Sequence, residues 1–129
     1  MAVLLAATIS FTACAARARL SDAERAELID KPEKVISEAA LEFYNAGRYR
    51  KAIDTYRLIL DNPDAEPKYR LWAQYEIAFS FYRMDDFEKA EKEFQKVLEM
   101  FPDTNIQERA PRILAEKMIN KIQTGDVHI

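Results

Sequence analysis

Residues 84–102, MDDFEKAEKEFQKVLEMFP, carry the pattern that decides the fold. The pattern is aromatic-x2-Ala-x3-aromatic-x2-aliphatic-x4-Pro, and it is formed by Phe87, Ala90, Phe94, Val97 and Pro102. Thirty-eight residues earlier the same order is formed by Tyr49, Ala52, Tyr56 and Ile59, with Pro63 arriving one residue sooner. Matching first halves precede the two copies, as Ala40-x2-Phe43 and Ala78-x2-Phe81. Self-similarity at this period indicates an array of structural repeats.

The residue types in this pattern are those that a hairpin of two helices needs. Ala52 and Ala90 are small where two helices must approach closely, and the aromatic residues beside them fill the remaining space. Pro63 and Pro102 end the second helix of each copy, because proline cannot continue a helix and restricts the residue before it. The sequence therefore predicts two helical hairpins.

This pattern resembles the tetratricopeptide repeat, a helix–turn–helix unit with the outline W-x2-L-G-x2-Y, then A-x3-F, then P. The resemblance implies an all-α fold in which two repeats and a capping helix stack as a right-handed α-solenoid. The tryptophan position is occupied by Ile36 and Gln74, and Gly47 of the first turn is replaced by Asp85 in the second.

Five segments follow from this organisation. We expect a lipoprotein signal peptide at 1–13, a lipidated cysteine with a spacer and a short helix at 14–32, repeats at 33–63 and 64–102, and a capping helix with a tail at 103–129. Within them the expected helices are 33–46, 49–61, 67–84 and 86–100. Ser21 and Glu24 form a capping-box pattern that begins a helix ending near residue 30, which serves either as a cap on the first repeat or as a spacer. Pro111 predicts one helical turn before it and then a kink or a restart, with helix to about Gln123 and Gly125 as the residue that ends it.

The first twenty residues differ from the rest of the chain. Positions 1–16 carry no charge, and roughly ten apolar residues are too few to span a bilayer, which takes ~20. They fit the apolar core of a secretory signal peptide. The stretch Phe11-Thr12-Ala13-Cys14 resembles the lipobox of bacterial lipoproteins, which implies that Cys14 is the lipidated residue and a membrane anchor. The alternative is a short apolar helix with a buried free cysteine.

An aromatic face remains on the first helix of the second repeat after its core stripe is subtracted. It consists of Trp72, Tyr75, Phe79, Tyr82 and Arg83. The resemblance implies that this side lines a concave groove for partner peptides, with Lys34, Tyr44 and Asn45 contributed by the first repeat. Trp, Tyr and Arg are enriched at binding hot spots. The alternative is that the final helix covers these aromatic side chains as a cap.

Nothing in the sequence predicts catalysis, a cofactor or a metal site. Asp85 and Asp86 are adjacent at a helix start, which favours a turn and an N-cap over an acid/base pair. The single cysteine and the single histidine, His128, are far apart in the chain, and there is no glycine-rich phosphate loop. A net charge of −3 argues against nucleic acid as a partner. The basic residues from Arg48 to Arg70 alternate with acidic ones, which favours a solvated face over a patch for an acidic partner.

The combination of a lipobox, a spacer and these repeats resembles the BamD (YfiO) family of outer-membrane lipoproteins and the repeat domain of the Tol-associated periplasmic coordinators. The resemblance covers about residues 35–102. It implies a non-enzymatic adaptor in envelope or outer-membrane protein assembly, lipid-anchored to the outer membrane and facing the periplasm. Two alternatives stay open: a cytoplasmic repeat scaffold or co-chaperone, and an accessory subunit of an envelope enzyme.

Overall fold

Helices account for nearly all the regular structure of this chain. A computed structural model describes residues 14–101 and 109–127. Its helices are α1 (Asp22–Leu28), α2 (Glu33–Asn45), α3 (Tyr49–Leu60), α4 (Pro67–Arg83), α5 (Phe87–Glu99) and α6 (Ala110–Thr124), and residues 14–17 are also helical. Across the described residues there is no strand. The all-α prediction is confirmed, and the helix ends differ from the expected ones by at most two residues.

The turns inside the two hairpins repeat each other. In the first, the Arg48 N–H donates to the Phe43 carbonyl at 2.8 Å; in the second, the Asp86 N–H donates to the Phe81 carbonyl at 3.1 Å. Gly47 has a φ of 72°, which a glycine adopts without strain. Asp85, at the equivalent position, has a φ of 59° and therefore holds a left-handed conformation with a side chain present.

Close helix approach at small residues forms the core. Each of the four alanines Ala40, Ala52, Ala78 and Ala90 has no exposed surface. The Phe81 and Phe94 rings are also fully buried. α2 packs against α3 and α4 packs against α5, while α3 joins the two hairpins by packing against α4. The expected pairing of helices at Ala52 and Ala90 is confirmed.

The last helix extends the stack by one layer. α6 packs against α5 and to a smaller extent against α4, with Ala115 fully buried. Pro111 lies in its first turn, where the missing N–H costs no hydrogen bond, and Gly125 ends it in the left-handed conformation with a φ of 75°. Residues 1–13, most of the expected turn before Pro111, and His128 lie outside the described residues.

The segment from Arg19 through α1 is held on α3 by charged groups. Both the Nε and the Nη2 of Arg19 donate to Asp54, at 2.7 and 2.6 Å, and the Leu20 N–H donates to the same carboxylate at 3.1 Å. Lys51 of α3 pairs with Glu24 at 2.7 Å. The expected capping box is present, since Glu24 accepts from the Ser21 N–H at 2.8 Å and its own N–H donates to the Ser21 hydroxyl at 3.2 Å. We name residues 19–28 the N-terminal strap.

Candidate partner-binding groove

Four aromatic rings form a continuous row along α4. We name Trp72, Tyr75, Phe79 and Tyr82 the aromatic row. Successive ring centroids are 5.8, 6.0 and 5.7 Å apart. Spacings of three and four residues keep side chains on one face of a helix, which is why these four meet. The structure therefore brings together the α4 aromatic residues that the sequence grouped.

The first hairpin adds a second wall to the row. The Tyr44 ring, on α2, lies 6.2 Å from the Phe79 ring. At the end of α4 the Arg83 guanidinium lies over two rings, 6.0 Å from the Tyr44 centroid and 5.8 Å from that of Tyr49. The Tyr44 and Tyr49 hydroxyls raise the pKa of Arg83, so its side chain stays positively charged at this edge.

The remaining two α2 candidates lie at the solvent surface. Lys34 and Asn45 are both exposed, and Lys34 makes a long ion pair of 4.0 Å with Glu38 on its own helix. Leu41, one turn before Tyr44, is 47% exposed, which is unusual for a leucine in the middle of a helix. An exposed apolar side chain thus lies one helical turn from Tyr44 on α2.

Burial separates the members of the row into different roles. Only 8% of Tyr75 is exposed, and its ring packs 5.5 Å from Phe94 of α5, so it belongs to the core as much as to the surface. Trp72, Phe79 and Tyr82 are half-buried. The Tyr82 hydroxyl donates to the Val127 carbonyl at 2.8 Å, so the segment after α6 covers that end of the row. The Tyr82 end of the row is therefore covered, and the groove hypothesis stays a prediction for the rest of the row.

Glu76 is a member of this surface that the sequence analysis missed. It lies four residues after Trp72 and three before Phe79, so it shares their face of α4. The residue is half-buried, and its carboxylate has no hydrogen-bond or ion-pair partner among the described residues. Burial raises the pKa of Glu76. The helical spacing could have identified it, but the subtraction that isolated this face selected only aromatic residues and one arginine.

The Glu76 carboxylate influences the pKa of tyrosines on three helices. Burial, with a smaller contribution from Glu76, raises the pKa of Tyr75 to about 12. Burial and then Glu76 also raise the pKa of Tyr56 on α3, and the same carboxylate contributes at Tyr44 on α2. Glu76 is thus a partly buried negative charge at the base of the aromatic face of α4, and it acts on tyrosine hydroxyls of α2, α3 and α4.

Two stretches of the chain match known family models. Both models are described as tetratricopeptide repeat, one over residues 72–104 and the other over residues 37–59. The fold is a tetratricopeptide-repeat solenoid. Searches of curated proteins and of solved structures each give no significant match to the chain. α2 and α4 are the first helices of the two repeats. We name the surface of the aromatic row, Tyr44, Leu41 and Glu76 the groove.

Outside the groove, the charged residues of this tetratricopeptide-repeat solenoid are mostly paired or stacked. Lys51 is paired with Glu24, and Lys68 with Glu66 at 3.2 Å. The guanidinium of Arg50 lies 5.1 Å from the buried Phe81 ring. This arrangement favours the solvated-face interpretation of the basic cluster, because such pairs leave little unbalanced charge for an acidic partner.

Metal binding and membrane spanning find no support in the described part of the chain. Residues 14–101 and 109–127 contain no group of three or more His, Cys, Asp or Glu side chains placed to hold a metal ion. Among the helices in those same ranges, none combines the length and the apolar character needed to cross a bilayer. Cys14 lies within the described residues and is exposed.

Proposed function

We propose that this protein is a non-enzymatic adaptor whose groove binds a segment of a partner protein. The observation that carries the proposal is an exposed leucine on the first helix of one repeat, Leu41 on α2, together with partly exposed rings on the first helix of the other, Trp72 and Phe79 on α4. Aromatic side chains supply large contact area at low entropic cost, which suits them to partner binding. Tetratricopeptide repeats are protein-interaction modules, which agrees with this role.

Site-specific photo-crosslinking in cells tests the adaptor role. A benzophenone amino acid replaces Leu41 in the groove, and the matched control places it at Ile29, which is 54% exposed but lies at the end of α1. We expect a discrete covalent adduct from the Leu41 position and none of comparable yield from Ile29. Equal adduct yields at the two positions, or adducts at Ile29 alone, would contradict partner binding in the groove.

A double substitution separates groove contacts from folding. Trp72→Ala with Phe79→Ala removes two half-buried rings while keeping the nearly buried Tyr75, whose loss would disturb Phe94. We expect the adduct from Leu41 to disappear while far-UV circular dichroism still reports a folded helical protein. Loss of helical signal in the double variant would show instead that these rings are needed for folding.

The finer proposal is that Cys14 anchors the adaptor to the outer membrane, facing the periplasm, in the manner of the BamD-type lipoproteins. It is supported by the lipobox-like residues before Cys14 and by the exposure of that cysteine. The strap begins at Arg19, so an anchor at Cys14 would hold the repeats within a few residues of the bilayer. In this role the groove would hold a partner involved in envelope or outer-membrane protein assembly.

Metabolic labelling tests the anchor. Radiolabelled palmitate is supplied to a bacterial host that expresses either the wild-type chain or Cys14→Ala. We expect label in the wild-type protein and its absence in the variant. Equal labelling, or no labelling of either, would remove the lipoprotein proposal and favour the cytoplasmic scaffold.

A further inference from the structure

The Glu76 carboxylate is the charged group at the base of the groove that has no partner. A half-buried carboxylate loses part of its hydration, and a protein normally offsets that loss with a cation or with hydrogen-bond donors. Among the described residues the Glu76 carboxylate has no cation and no hydrogen-bond donor as a partner, although its tyrosine neighbours carry hydroxyl groups. The free-energy cost of the lost hydration is therefore uncompensated in the protein without a partner.

The positive group on the same face of α4, Arg83, packs on tyrosine rings. Arg83 follows Glu76 by seven residues, or about 10 Å of helix rise. Its guanidinium lies over the Tyr44 and Tyr49 rings, at the edge of the surface. The groove consequently has a cationic edge and an anionic base, separated by aromatic rings.

We propose that Glu76 binds a lysine or arginine side chain of the partner segment, inserted between the aromatic walls of the groove. This inference rests on the proposed function, because it names the chemistry of the segment that the groove binds. The methylene stem of a lysine or arginine packs on the Trp72 and Phe79 rings, and the charged end reaches the carboxylate between them. Aromatic faces also attract cations, which adds to the ion pair.

The flanking groups of the partner segment follow from the same surface. Trp72 and Phe79 precede and follow Glu76 on its face of α4, and Leu41 is exposed on α2, so the basic residue has apolar neighbours in the segment. A segment rich in acidic residues would place negative charge against Glu76 and is disfavoured. Charge complementarity thus selects a basic side chain within an apolar segment.

Selection from a random dodecapeptide library displayed on phage tests this inference. The full chain is immobilised, and parallel selections use wild type, Glu76→Gln and the control Glu42→Gln, whose side chain lies in the cleft between α1 and α2. We expect peptides with a lysine or arginine flanked by apolar residues on wild type and Glu42→Gln, and loss of the basic residue from peptides selected on Glu76→Gln. Circular dichroism verifies that each variant is folded.

Calorimetry with a selected peptide gives the second readout. Replacing its basic residue by glutamine should weaken binding to wild type about tenfold or more, and should have little effect on binding to Glu76→Gln. If peptides are selected through the groove without basic enrichment, or with equal enrichment on Glu76→Gln, the inference is overturned and the groove function stands. If Trp72→Ala with Phe79→Ala leaves binding unchanged, the groove function itself fails.

Discussion

Single residues of this chain differ widely in how much they contribute to the free energy of unfolding. Phe94 has no exposed surface and contacts the Tyr75 ring across the α4–α5 pair. Phe94→Ala should lower the free energy of unfolding by ~3–5 kcal/mol, because it removes a large ring and leaves a cavity. Glu99→Ala, on the exposed side of the same helix, should change it by less than ~0.5 kcal/mol. Equilibrium urea unfolding measures both; a loss below ~1 kcal/mol for Phe94→Ala would contradict the packing described here.

The two hairpin turns allow a reciprocal exchange of residues. Gly47 and Asp85 hold equivalent left-handed conformations, and a Cβ added at Gly47 meets no atom within 4 Å. Only backbone strain therefore distinguishes the two residues. We expect Asp85→Gly to raise the free energy of unfolding by ~0.5 kcal/mol and Gly47→Asp to lower it by ~0.5–1 kcal/mol. Urea unfolding of both variants gives the answer, and changes of the same sign would contradict the equivalence of the turns.

Glu76 links stability to binding at the residue scale. Burial raises its pKa in the folded protein, so the ionised form destabilises the fold at neutral pH, and wild type gains stability from this group as the pH falls. Glu76→Gln should therefore have a higher unfolding midpoint than wild type at pH 7. The difference should shrink as the pH falls through the raised pKa, where the wild-type carboxyl also becomes neutral.

Thermal unfolding of wild type, Glu76→Gln and Glu42→Gln at several pH values measures this effect. Glu42 is exposed, so its substitution serves as the control for removing one negative charge. If Glu76→Gln is less stable than wild type at pH 7, the carboxylate makes a stabilising interaction. The description of Glu76 as a carboxylate without a partner would then be wrong.

At the scale of elements, the N-terminal strap is attached by groups that titrate in acid. Hydrogen bonds from Lys51 and Ser21 lower the pKa of Glu24 to about 2. Burial alone would raise the pKa of Asp54, but the bonds from Arg19 and the Leu20 N–H outweigh it and lower the pKa. Both folded-state pKa values lie below the unfolded ones, so this stabilisation is present above the unfolded carboxyl range and is lost as the pH falls towards the folded values.

A fluorophore on Cys14, the only cysteine, reports the attachment of the strap. We expect its anisotropy to fall between about pH 4.5 and pH 2, before Trp72 fluorescence reports unfolding of the repeats. Asp54→Asn should show low anisotropy at neutral pH already, because the buried carboxylate that receives Arg19 is gone. Anisotropy that changes only together with Trp72 fluorescence would show that the strap and the repeats unfold as one unit.

At the scale of the whole molecule, the sequence was sufficient to predict the stacked hairpins but not every contact between them. The repeat spacing predicted the pairing of helices at Ala52 and Ala90, because each repeat restates the same local rules. It could not predict the Arg19–Asp54 pair, whose partners are 35 residues apart and follow no period. It also could not predict that Tyr75 packs into the core, since its contact with Phe94 comes from the next helix.

The aromatic row could be predicted from the sequence for the same reason. The aromatic row follows from positions on one helix, and helical spacing alone brings its members together. The Tyr82–Val127 hydrogen bond depends on where the chain goes after α6, which no local pattern specifies. Whether a side chain belongs to a groove or to a cap is therefore a property of the whole stack.

The central claim is that two stacked hairpins expose their first helices to a partner segment. Amide chemical-shift mapping with a library-selected dodecapeptide tests it most directly. The account predicts shift changes concentrated on α2 and α4, around Leu41, Glu76 and Phe79, with the exposed faces of α3 and α5 unchanged. Shift changes confined to the strap, α3 or α5 would contradict it.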